Sequence, residues 1–237
     1  MGFTDVAERY DLPMAGLRRI RQDALRSNTY LLAAPGAADP GSDCVVVDPG
    51  LDRGLIEAEL SRSGWRPRAV LCTHGHFDHV GSSAWLQQAH GIPVLLPIAD
   101  LKLAKLANFM MTAFKLPHRI AIPDFTLLSI QEDQPVSIEF IGRNFTFHAL
   151  PGHTPGSAGI LVDGLLFSGD TLYARQTALS KLPGEDHAQL RHSLRRLFKW
   201  IDGQVHVLPG HGDSASIADI LTNNEALRTF MACEQVA

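Results

Sequence analysis

The segment Thr73-His74-Gly75-His76-Phe77-Asp78-His79 packs four metal-ligating side chains into six residues. Imidazole and carboxylate are the donors that Zn²⁺, Mn²⁺ or Fe²⁺ accept. In an irregular loop the alternate residues His74 and His76 can turn toward one point, while Asp78 and His79 reach a neighbouring one. Three further candidates are His153 in Pro151-Gly152-His153-Thr154, Asp170 in Ser168-Gly169-Asp170-Thr171 and His211 in Pro209-Gly210-His211-Gly212. Each stands beside glycine, which lets the backbone turn tightly and approach an ion. The chemistry such a set supports is metal-assisted hydrolysis: coordination lowers the pKa of water from 15.7 to about 7, so a nucleophile exists at neutral pH. No G-x-S-x-G motif offers a competing serine nucleophile.

All of these residues follow runs that read as strands. Asn28 to Leu32, Cys44 to Val47, Ala69 to Cys72 and Val94 to Leu96 are short and apolar, with turn residues around them. Between them, Asp52 to Ser63 and Ser82 to His90 have helical spacing and stop at Gly64 and Gly91. The strands Val136 to Phe140, Phe145 to Ala149, Ile160 to Val162 and Leu165 to Phe167 form a meander with Gly turns, which predicts a second sheet. A helix behind an Asp186 cap, a strand Val205 to Leu208 and a final helix from Ile217 to Met231 return to the α/β pattern. The expected fold class is therefore α/β, a four-layer αββα sandwich forming a single domain over 1–237. Strand ends are where α/β folds assemble their sites.

From Ile98 to Leu116, Lys102, Lys105, Asn108, Thr112 and Lys115 form one narrow polar stripe, so the spacing predicts a single apolar helix with a wide buried face. Its Phe109, Met110 and Phe114 are candidate substrate contacts, as an adaptable roof over the metal cleft. Core or homodimer packing is the other reading of this segment, and both stand.

Composition narrows the partners. Lys and Arg number 21 against 25 Asp and Glu, a formal charge of −4, which argues against nucleic acid because phosphate neutralisation needs a basic surplus. No apolar run approaches the roughly 20 residues of a membrane span. The start MGFTDVAERYDLP lacks the pattern of a secretory signal, and Cys44, Cys72 and Cys233 form no spacing motif, so the expected localisation is cytoplasmic. The expected partner is a small-molecule substrate.

Taken in order, these motifs resemble the metallo-β-lactamase superfamily from about Asn28 to His211, in the style of its glyoxalase II-like (hydroxyacylglutathione hydrolase-like) members. The resemblance implies that His74, His76 and His153 hold a first metal, that Asp78, His79 and His211 hold a second, and that Asp170 bridges them. Many secreted β-lactamases of the superfamily carry cysteine where Asp170 stands here, which points toward hydrolases with two similar sites. It also implies that Asp48, in the turn Asp48-Pro49-Gly50, hydrogen-bonds a ligand imidazole and fixes its tautomer.

Two divalent cations against two carboxylates and neutral imidazoles leave a net positive charge that favours a bridging hydroxide. Zinc is the expected metal, and iron or manganese also suits the donors. The hydroxide would attack an ester or thioester carbonyl, with Asp78 orienting it and accepting its proton. A thiolate of pKa near ~8.5 departs unprotonated, which favours the thioester. Tyr173 and Lys181 are tentative substrate contacts. The short stretch after His211 has no room for the helical region with which glutathione thioesterases of the superfamily usually grip the peptide. A mononuclear-iron, persulfide dioxygenase-like oxidoreductase and a β-lactamase or lactonase are the competing functions.

Overall fold

Side-chain alternation explains both sheets. The computed structural model describes residues 14, 16–37, 39–177 and 184–233. The first sheet runs in chain order through β1 (Leu17–Arg21), β2 (Asn28–Ala33), β3 (Asp43–Val47), β4 (Arg66–Leu71), β5 (Val94–Pro97) and β6 (Phe125–Leu128). Its pairs are antiparallel from β1 to β3 and parallel from β3 to β6. The second holds β7 (Val136–Phe140), β8 (Arg143–Ala149), β9 (Ala158–Val162), β10 (Leu165–Gly169), β11 (His206–Pro209) and β12 (Ala215–Ser216), in spatial order β12-β11-β10-β9-β8-β7. Only β10 and β11 pair in parallel there.

Because successive strand residues face opposite ways, Val45 and Val47 enter the core between the sheets while Cys44 and Val46 face the outer helices. Leu165 and Phe167 likewise point inward and Leu166 outward. Tyr30 meets Phe167 edge to face across the sheets, ring centroids 5.3 Å apart. On the outer face of the first sheet lie α1 (Arg53–Ser63), α2 (Phe77–Val80) and α3 (Ser83–His90). The 3₁₀ turn Ile98–Asp100, α4 (Leu101–Lys105) and α5 (Ala107–Ala113) follow. Against the second sheet pack α6 (His187–Trp200), α7 (Ile217–Asn223) and α8 (Glu225–Ala232). Two mixed sheets flanked by helices make the αββα sandwich that the sequence predicts. No helix among the described residues is long and apolar enough to cross a membrane.

The structure corrects two helices. The segment from Ile98 to Leu116 is not one helix: it breaks at Leu106, whose N–H reaches back to both the Lys102 and Leu103 carbonyls. Nor is its buried face wide. Only Asp100, Ala104, Ala107 and Met111 turn fully inward, while Leu106 is 54% and Phe109 73% exposed. The segment rides over α2 on the surface, so only one side finds a neighbour. The final helix is divided by Asn224, whose side chain accepts the Leu227 N–H to start α8 and donates to the Tyr173 carbonyl. Strands β1, β6 and β12 have no counterpart in the sequence reading.

Candidate metal centre

Five loops meet at one edge of the sandwich. Asp48 follows β3, the Thr73–His76 loop and α2 follow β4, His153 lies beyond β8, Asp170 directly follows β10, and His211 follows β11. His74 Nε2 stands 3.1 Å and His153 Nε2 3.0 Å from His76 Nδ1. In the second group His211 Nε2 is 3.3 Å and His79 Nε2 3.6 Å from Asp78 Oδ2. Within each group the ligand atoms lie within 4.8 Å of one another.

Asp170 stands between the groups. Its Oδ1 is 3.5 Å from His79 Nε2, and its Oδ2 is 3.5 Å from His153 Nε2 and 3.4 Å from His211 Nε2. The approach requires Gly210, because a Cβ there would collide with Asp170 Oδ1 and His79 Cε1. The His211 loop is held from the first sheet: Asn28 Nδ2 donates to the Pro209 and Gly212 carbonyls (2.9 Å each) and the Tyr30 hydroxyl to Pro209 (2.8 Å).

Asp48 sets the tautomers. Its Oδ1 accepts the Thr73 backbone N–H (2.8 Å) and its Oδ2 the Thr73 hydroxyl (2.7 Å). With that hydroxyl proton committed, His74 Nδ1–H donates to Thr73 Oγ1 (3.0 Å), which leaves Nε2 as a lone pair aimed at His76. The His79 Nδ1–H donates to Asp48 Oδ2 (3.1 Å), so Nε2 is the nitrogen that a metal would take once its proton is displaced. One carboxylate thus orients an imidazole in each group. Thr73, the relay between Asp48 and His74, opens the ligand segment in the sequence but carries no role there. An N–H or hydroxyl that serves a distant carboxylate leaves no spacing signal.

The donor set fits metal ions. Three ring nitrogens converging at about 3 Å cannot satisfy one another by hydrogen bonds alone. His79 Nε2 and Asp170 Oδ1 are buried without a hydrogen-bond partner. Burial, then neighbouring imidazoles, hold His74 well below its ordinary pKa, and burial, then His153, bring His76 down to about 4. Burial also opposes protonation of His79 and His211, but Asp170 and Asp78 outweigh it and raise them to about 9 and about 11. Burial would raise Asp170, yet His79 and His211 hold it well below the usual carboxylate range.

The tentative contacts separate. Tyr173 is buried, and burial followed by the Asp170 carboxylate holds its phenol protonated. Phe114 meets Phe77 of α2 edge to face at 5.5 Å, and Met110 packs into the same cluster. Phe109 points to solvent. Lys181 lies outside the described residues.

Comparison with known proteins gives consistent kinships. The sequence model of the Metallo-beta-lactamase superfamily matches residues 23–213. The chain is 31% identical to an uncharacterized protein of Mycobacterium tuberculosis over 81% of this chain and 89% of that one. It is 27% identical to the hydroxyacylglutathione hydrolase GloC of Haemophilus influenzae, over 81% and 90%. Among solved structures, that of TTHA1623 in a di-iron-bound form superposes with a TM-score of 0.74 at 30% identity, over 88% of this chain and 98% of that one.

Proposed function

The chain belongs to the metallo-beta-lactamase superfamily, and on that premise we propose that it is a dinuclear metal-dependent hydrolase whose preferred bond is a thioester. The observation that carries the reading is Asp170, one carboxylate within 3.5 Å of imidazoles from both groups. His74, His76 and His153 would hold one ion, Asp78, His79 and His211 the other, with Asp170 shared. Two divalent ions, when bound, supply an acidified water at neutral pH and Lewis-acid polarisation of a carbonyl. Asp78 is the catalytic carboxylate, because its Oδ2 lies among the ligand nitrogens, where it can orient the attacking water and accept its proton. Asp48, directly for His79 and through Thr73 for His74, would orient both imidazoles with Nε2 toward the ions. Buried Tyr173 lines the same centre beside Asp170.

Support for the thioester comes from GloC, a hydroxyacylglutathione hydrolase that this chain matches over 90% of its length. Zinc is the proposed metal, and two irons, as in TTHA1623, are the alternative. The test is turnover of the metal-replete protein on thioesters, lactones, phosphodiesters and β-lactams. Thioesters should give the highest kcat/KM. Preference for any other class, or oxygen consumption with one iron per chain, contradicts the proposal.

A further inference from the structure

Asp100 is completely buried. It closes the turn after β5 and occupies the N-cap position of α4, where an aspartate ordinarily accepts the N–H of the helix's own first turn. Its carboxylate makes no such bond. Instead Oδ2 accepts the Gly75 N–H (2.7 Å) and the Thr154 hydroxyl (2.7 Å), and Oδ1 accepts the Gly156 N–H (2.7 Å). Gly75 separates His74 from His76, and Thr154 follows His153. The three bonds therefore tie together the two loops that carry the three-histidine group, and none reaches a neighbour of Asp170 or His211.

The surroundings are shaped for this carboxylate. A Cβ on Gly156 would come within 2.6 Å of Asp100 Cγ, so only glycine permits the approach. Thr154 is braced in turn, its N–H donating to Ser157 Oγ (3.0 Å) while the two hydroxyls sit 2.7 Å apart. With the Thr154 proton committed to Asp100, Ser157 supplies the proton between them. Bonds from N–H and O–H to an ionised carboxylate are short and strong, and all three here converge from donors only. Asparagine would turn an amide N–H₂ toward one of them.

We propose that Asp100 is a positioning residue for the three-histidine metal site alone: it clamps the two loops so that His74 Nε2, His76 Nδ1 and His153 Nε2 stay converged. The inference rests on the dinuclear reading above and adds to it a residue that makes no hydrogen bond to any ligand side chain.

The test is cobalt(II) titration, followed by ligand-field absorption, of Asp100→Asn in two backgrounds. His211→Ala leaves the three-histidine group intact, and His153→Ala leaves the other. Loss of an outer-shell partner costs about 10–100-fold in metal affinity, and that weakening is expected in the His211→Ala background. In the His153→Ala background affinity should stay within roughly twofold, as for independent sites. Equal weakening in both, or none in the first, overturns the proposal. Should Asp100→Asn fail to fold, Thr154→Val removes one of the three bonds while keeping shape. It should show the same selectivity to a smaller degree, and its absence is equally fatal. Failure of the unsubstituted chain to bind cobalt overturns the metal centre itself, whereas cobalt binding without selectivity overturns only the role of Asp100.

Discussion

The two ligand groups share an edge of the fold but differ in electrostatics. The three-histidine group contains no carboxylate of its own, and burial with mutual repulsion keeps His74 and His76 neutral, the latter down to about pH 4. The other group mixes Asp78 with His79 and His211, and its carboxylates hold protons on those imidazoles up to about pH 9 and about pH 11 in the metal-free chain. Lone pairs on His74 and His76 are ready for a cation. In the second a cation must displace protons that already serve as counter-charges. One centre thus combines a preset site with a site that titrates.

Asp170→Ala removes the carboxylate common to both groups. It should lower metal content at both and cut kcat/KM by more than the roughly 100-fold that losing an outer-shell partner costs. Retained activity would dissolve the link between the groups. Asp48→Asn should weaken both sites by about 10–100-fold, because it orients His74 and His79 together, and cobalt titration in the two single-site backgrounds reads each separately. A loss confined to one site would break the symmetry assigned to Asp48.

Proton competition sharpens the contrast. Cobalt affinity in the His153→Ala background should rise with pH through about 9 and on toward about 11, while that in the His211→Ala background should rise far less, because burial already keeps His74 and His76 neutral. Equal slopes would contradict the difference. Stability carries the matching sign. His79 and His211 have folded pKa values raised above the ordinary imidazole value of about 6.5. Their contribution is therefore fully present below about pH 6.5 and is lost as pH rises through about 9 and then about 11. The chelated protein should lose Tm across that window by thermal denaturation, and a rise in Tm would refute it. Tyr173→Phe should keep both metals and change kcat by less than about tenfold, because only a hydroxyl beside Asp170 is lost.

The H-x-H-x-D-H loop was legible because its ligands are close in sequence. His153, Asp170 and His211 were legible as a set, each beside glycine at the end of a readable strand. The alternating strands and the Asp186-capped helix were equally plain, since burial on one face imposes a period. Other features leave no such mark. Asp100 reads as one more polar residue at a helix start, and its partners lie 25 to 56 positions away: one threonine hydroxyl and two backbone N–H groups of a kind that any residue but proline possesses. The Arg-rich β1 pairs only with β2 at the sheet edge and lacks a strand's apolar signature. The polar stripe of 98–116 was real as a pattern, but periodicity does not say how much of the opposite face meets a neighbour.

The central claim, that Asp170 joins two metal sites of different character, is tested most directly by anomalous diffraction from crystals of the metal-loaded protein. Two peaks are predicted, one among His74, His76 and His153 and one among Asp78, His79 and His211, with the Asp170 carboxylate between them. A single peak, or a pair that Asp170 does not touch, would contradict it.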